Sequence, residues 1–237
     1  MNRGFLIACA LMAAAAAATL SVRACAEQPS KPSSPNAAPA AAASLSQWQA
    51  GTNYTVLPNP KPPGAQGKVV VNEIFWYGCG HCYALDPLLA SWNAKKPDYV
   101  DFVRIPVIWG PVHRQHAKLY YTILALGRGD LHSSVFDAIH MTGNLLAAGT
   151  DEQARALHLA FLKEHGVTEK AFNDAYDSPQ VAANLQRAEE LTKAYMIGSV
   201  PTMIVNGKYS TGVSQAGGSG ALLTLVNDLA ASERQRR

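Results

Sequence analysis

Val69-Val70-Val71-Asn72-Glu73-Ile74-Phe75-Trp76-Tyr77-Gly78-Cys79-Gly80-His81-Cys82 is the stretch on which the reading of this chain turns. From Val69 to Tyr77 it is apolar except for Asn72 and Glu73, which suits a strand buried on both faces in the middle of a sheet. From Cys79 to about Lys96 the period changes. Cys82, Leu85, Leu88 or Leu89 and Trp92 recur at helical spacing, and Pro87 is expected to kink the helix rather than end it. Cys79 therefore falls where a strand has ended and a helix begins. Val100 to Ile108 reads as the next strand of a βαβ unit, with Val103, Ile105 and Val107 set against Phe102 and Arg104. Upstream, Tyr54 to Leu57 reads as an edge strand, followed by a loop holding Pro58, Pro60, Pro62, Pro63, Gly64 and Gly67.

Downstream, helical periods and caps recur between Gly110 and Ile197 without a strand pattern. Thr150 with Gln153 makes a capping box, Thr168 precedes Glu169, and Ser178-Pro179 sets a cap ahead of a proline at the first helical position. In the last of these helices Val181, Leu185, Ala188, Leu191 and Tyr195 line one face, a core stripe rather than a ligand box. Thr202 to Val205 reads as a short strand, Asn206-Gly207 as a two-residue hairpin turn, and Lys208 to Thr211 as the returning strand. Gly217, Gly218 and Gly220 lead into a final helix from Ala221 to about Ala231 with a polar, frayed end. A βαβ half followed by a ββα half is the thioredoxin arrangement. The expected fold class is thus α/β, a mixed central sheet flanked by helices with an inserted all-helical domain. Residues 45–110 would form its first part, 111–190 the helical insertion and 191–233 its second part.

Residues 1–26 carry Arg3, an apolar run from Phe5 to Leu20 and the small-x-small triplet Ala24-Cys25-Ala26, the pattern of a secretory signal peptide. An uncleaved anchor is the alternative, because the run approaches the roughly 18 residues that cross a bilayer; lipid attachment at Cys25 is a third reading, which Arg23 fits poorly. Residues 27–44, almost wholly Ala, Pro, Ser and Gln, read as a flexible linker compatible with a membrane tether. The expected location is the periplasm, in a soluble or N-terminally anchored form. A net charge of +3, partly from Arg234, Arg236 and Arg237, leaves no basic stripe for nucleic acid. Of the four cysteines, Cys9 and Cys25 would leave with the signal peptide. The remaining pair, Cys79 and Cys82, closes a loop too short to add much stability, so reactivity explains it better.

Disulfide exchange needs a thiolate, and a free thiol titrates at about 8.5. A helix N-terminus at Cys79 would offer unsatisfied N–H groups and a partial positive charge, the small Gly80 would let that backbone approach the sulfur, and His81 would add a donor or a charge. Cys82, one turn inside, is placed to attack a mixed disulfide at Cys79, so the expected roles are nucleophile and resolver. A cis bond at Pro201 would present the Val200 backbone beside the cysteines for strand-like pairing with an extended substrate, whereas the plainer reading is a proline leading a strand. No cofactor beyond the redox-active disulfide and no metal is expected.

Two motifs carry a resemblance to the DsbA family of exported dithiol oxidases. Glu73-Ile74-Phe75-Trp76 leads into Cys79-Gly80-His81-Cys82-Tyr83, and Gly198-Ser199-Val200-Pro201-Thr202 leads into Asn206-Gly207-Lys208-Tyr209. The resemblance extends from Gln47 onward. It implies that Cys79 is the nucleophile, that His81 stabilises its thiolate, that Pro201 is cis and that Glu73 relays protons beneath the cysteines. It also implies reduced or unfolded secreted proteins as substrates, and a membrane quinone-linked oxidase as the partner that restores the disulfide. Gly80, where many members have proline, and the Ala/Pro-rich linker depart from the pattern. Arg104 is the candidate counter-charge for Glu73, whose buried carboxyl should have a raised pKa. Trp76 and Tyr77 read either as apolar surface near the cysteines or as buried. His113, His116, His132, His140, His158 and His165 show no ligand spacing and are assigned no site. A disulfide reductase or isomerase using the same cysteines is the competing redox function, and a metal- or peptide-binding module without turnover is the competitor from another class.

Overall fold

The computed structural model of the chain describes residues 45–60 and 67–236. The expected signal peptide, the linker and the loop residues Pro62, Pro63 and Gly64 lie outside the described residues. Five strands form one sheet: β1 (Thr55–Val56), β2 (Val69–Phe75), β3 (Val100–Pro106), β4 (Thr202–Val205) and β5 (Tyr209–Thr211), in the order β1-β5-β4-β2-β3. β2 pairs with β3 in parallel and with β4 antiparallel, so the sheet is mixed. Its central place leaves every residue of β2 buried, which accounts for the unbroken apolar run.

Helix α1 (Gly80–Lys95) follows β2, and α2 (Pro111–Ala125), α3 (His132–His140), α4 (Asp151–Glu164), α5 (Glu169–Tyr176) and α6 (Pro179–Ala194) fill the stretch between β3 and β4. The caps fall where sequence placed them: Thr150 and Gln153 close a capping box, Thr168 accepts from the Ala171 N–H, and Ser178 from the Val181 N–H. Buried His116 and His158 donate Nε2–H to the carbonyls of Leu145 and Leu146, both at 2.8 Å, and so hold the α3–α4 loop. These are core histidines, each bound to backbone through Nε2 while its buried Nδ1 has no hydrogen-bond partner among the described residues.

Alternation along β2 divides the core. Val69 and Val71, with Met203 and Val205, pack against Leu85, Leu89 and Trp92 of α1 and against Leu222, Leu225, Val226 and Leu229 of α8 (Ser219–Gln235). Ile74, Ile105 and Ile204 belong to a second cluster that continues into Phe136, Leu162, Phe172 and Leu185 of the helical insertion. By parity Glu73 shares the face of Val69 and Val71, beneath α1.

Three readings need correction. Val103, in the middle of the edge strand β3, is 41% exposed rather than packed with buried Ile105 and Val107. The final helix does not fray near Ala231 but runs to Gln235, because Glu233 is buried and accepts from Asn206 Nδ2, Lys208 Nζ and Tyr209 Oη at 2.8–2.9 Å. A short helix, α7 (Val213–Ala216), precedes it and ends at Gly217, whose φ of 90° requires glycine.

Candidate functional site

β2 ends at Phe75, and the chain turns through Trp76, Tyr77 and Gly78 before α1 begins. A Cβ on Gly78 would collide with the Trp76 indole, so the turn depends on that glycine. The Cys79 N–H donates to the Trp76 carbonyl at 3.0 Å, and Cys79 takes the N-cap position with extended φ and ψ of −91° and 114°. Cys79 thus stands where the N–H groups of the first helical turn have no intrahelical partner.

That placement sets the electrostatics. The Cys79 pKa is lowered to about 5, first by the hydrogen bond from the Cys82 thiol and then, against the cost of burial, by the N–H groups of Cys82 and His81 and the charge of His81. Cys82 is fully buried, and the bond it gives Cys79, together with burial, pushes its own pKa well up. The two thiols therefore hold their protons very unequally. Gly80 is exposed and a Cβ there would meet nothing within 4 Å. The smallness of residue 80 is therefore not what brings the backbone to the sulfur.

The Val200–Pro201 peptide is cis, and the Val200 carbonyl lies 3.6 Å from Cys79 Sγ. Thr202 Oγ1 donates to the Ser199 carbonyl and Trp109 Nε1 to the Ile197 carbonyl, bracing this loop from both sides. Between the loop, His81 and the segment Ser210–Gln215 opens a cleft of about 590 Å³. Trp76 is half-buried, its ring 4.4 Å from that of His113, while Tyr77 is fully buried.

Glu73 lies beneath α1 and is fully buried. Arg104, its register partner on β3, donates Nε–H to Glu73 Oε2 at 2.9 Å and Nη2–H to Asp86 Oδ1 at 2.9 Å. Burial raises the Glu73 pKa to about 7; Arg104 opposes this and the negative charge of Asp86 adds to it. Asp86 also accepts from Ser133 Oγ at 2.7 Å. Although burial pushes the Asp86 pKa up, its contacts with His132, Ser133 and Arg104 hold it below the ordinary value.

Sequence reasoning singled out Cys79, Gly80, His81, Cys82, Val200, Pro201, Glu73 and Arg104, and the structure brings all of them together. It missed Asp86, His132 and Ser133, because a helix pattern shows an acidic residue at a core position only as an interruption. The one available signal was that Asp86 follows Leu85 on the face that also carries Leu89. Among the described residues no group of three or more His, Cys, Asp or Glu side chains gathers as a metal cage.

A mixed sheet, its helical insertion and a C-x-x-C motif at the start of α1 define a thioredoxin-fold thiol:disulfide oxidoreductase. No family model matches the chain. The thiol:disulfide interchange protein DsbA of Pseudomonas aeruginosa is 38% identical over 194 residues, 81% of this chain and 89% of that protein. The Azotobacter vinelandii protein of the same name is 38% identical, over 82% of this chain and 89% of its own. The crystal structure of Pseudomonas aeruginosa DsbA superposes with a TM-score of 0.73 at 37% identity, covering 80% of this chain and 96% of that one. DsbA from Xylella fastidiosa gives 0.71 at 26% identity, over 80% and 98%. The chain belongs to the DsbA family, and it is a thiol:disulfide interchange enzyme.

Proposed function

We propose that the Cys79–Cys82 disulfide is donated to reduced proteins folding in the periplasm, with Cys79 as the exchanging sulfur and Cys82 as its resolving partner. A client thiolate attacks Cys79 Sγ, the Cys79–Cys82 bond breaks, and Cys82 leaves with the electron pair. Cys82 then takes up a proton, in keeping with its raised pKa. A second client thiolate attacks the client sulfur of the mixed disulfide and expels Cys79 as a thiolate. Two electrons pass from the client dithiol to the enzyme, and the client leaves with its own disulfide.

The observation that carries this reading is the place of Cys79 at the N-cap of α1, its sulfur 3.6 Å from the Val200 carbonyl, where the Cys82 thiol and the first-turn N–H groups lower its proton affinity. A good leaving thiolate favours the dithiol form, so the disulfide form is an oxidant; a reductase would need the opposite poise. We assign to Glu73, a buried carboxyl whose charge is felt by Cys82, the exchange of the proton that Cys82 gains and loses. Val200, beside the sulfur, offers its backbone to an extended client, and Pro201, Gly80 and His81 complete the surroundings. The partner that restores the disulfide is a membrane quinone-linked oxidase. No helix among the described residues is long and apolar enough to cross a membrane, so a tether would rest on the N-terminal segment alone. The test is oxidative refolding of a reduced, unfolded protein whose activity returns on disulfide pairing. Stoichiometric oxidised enzyme should restore activity and Cys79→Ser should not; failure of the oxidised wild type would remove the donor role.

A further inference from the structure

α3 meets the cysteine segment through a line of polar contacts. The ring of His140, its last residue, touches that segment twice. His140 Nε2–H donates to the Tyr77 carbonyl at 2.8 Å, two residues before Cys79. The same ring stacks on Tyr83, the residue after Cys82, at 4.8 Å between centroids and 5° between planes. One imidazole thus touches both flanks of the Cys79-Gly80-His81-Cys82 turn. We propose that His140 is a positioning residue for the cysteine pair, pinning the two flanks of the turn from the helical insertion; the proposal rests on the reading of Cys79 as the exchanging sulfur.

The contact is rigid at its source. Phe136, one turn earlier on the same face of α3, is fully buried, with ring centroids 5.0 Å from Tyr77 and 5.9 Å from Tyr83. Tyr83 Oη donates to Asp137 Oδ1 at 2.9 Å, and Tyr77 Oη pairs with His132 Nδ1 at 2.9 Å. Each tyrosine beside the motif is therefore gripped by α3 at its side chain, and His140 adds the one grip on backbone. The Tyr77 carbonyl lies past the end of β2, outside the sheet ladder, while the Trp76 carbonyl receives the Cys79 N–H. Holding both carbonyls fixes how the chain enters α1, and hence how the sulfur sits over the His81 and Cys82 N–H groups. Without the His140 donor, the Tyr77 peptide is released from α3 and can tilt, and the N–H groups lose their aim at the sulfur.

The test compares three variants of the reduced protein, H140A, H140Q and H140F, by the ultraviolet absorbance of the thiolate against pH, with circular dichroism as the check on folding. Glutamine keeps an N–H donor; phenylalanine keeps a ring for Tyr83 and loses the donor. H140A and H140F should raise the proton affinity of Cys79 about tenfold, roughly one pKa unit, while H140Q stays with the wild type. A folded H140A that titrates with the wild type overturns the proposal, as does H140Q moving together with H140F. If H140A does not fold, the H140Q and H140F pair decides alone. A wild type whose Cys79 titrates as an ordinary thiol overturns the reading of Cys79, and this proposal with it.

Discussion

Burial raises the Glu73 pKa from 4.5 to about 7, which makes the stability of the fold depend on pH. The folded state binds a proton that the unfolded chain gives up, so the stability contributed by this group is fully present below about pH 4.5 and is lost as pH rises through about 7. The shift corresponds to about 3 kcal/mol at most. Glu73→Gln has no such proton to lose. Urea denaturation of both reduced proteins should show the variant gaining on the wild type by up to about 3 kcal/mol between pH 4.5 and 8, with Cys79 contributing equally to both. A constant difference across that range would mean that Arg104 keeps Glu73 ionised throughout. Asp86 opposes that outcome, because it shares the same guanidinium.

The β4–β5 turn shows what a single element contributes. Asn206 and Gly207 both have positive φ, 52° and 61°, the requirement of a two-residue turn that follows the twist of its strands. Gly207→Val would place a β-branched residue in the left-handed region at a cost of about 1–2 kcal/mol. Pairing of Val205 with Val71 and of Thr202 with Ile74 puts this turn at the end of β2 remote from Cys79. The thermal midpoint of Gly207→Val should therefore fall while the Cys79 titration, followed by thiolate absorbance, stays unchanged. Elements of this kind were legible in sequence because their signals are local: the Asn-Gly pair, the Thr150 and Ser178 caps, the run from Val69 to Phe75. What escaped was set by distant partners. Glu233 reads as part of a polar tail until Asn206, Lys208 and Tyr209 come round to bury it. His140 reads as one scattered histidine among several until α3 lies against α1.

Across the whole molecule, the apolar cluster on one face of the sheet is continuous with the interior of the helical insertion. Ile74 and Ile204 of the strands belong to the same cluster as Phe161 of α4, Phe172 of α5 and Val181 of α6. Neither part buries the surface of this shared cluster without the other, so the insertion and the sheet should unfold in one transition. Near- and far-ultraviolet circular dichroism should give coincident denaturation curves; separate midpoints would show that the insertion holds a core of its own. The cleft beside Cys79 has a consequence at this scale as well. Its described lining combines hydroxyls and amides with apolar Leu85, Met196, Ile197 and Val200, and holds His81 but no Lys, Arg, Asp or Glu. Acidic and basic segments meet the same wall there, and dissolved salt finds little to screen. On the proposed reading, such a wall would sort clients by backbone shape rather than by the sign of their charge.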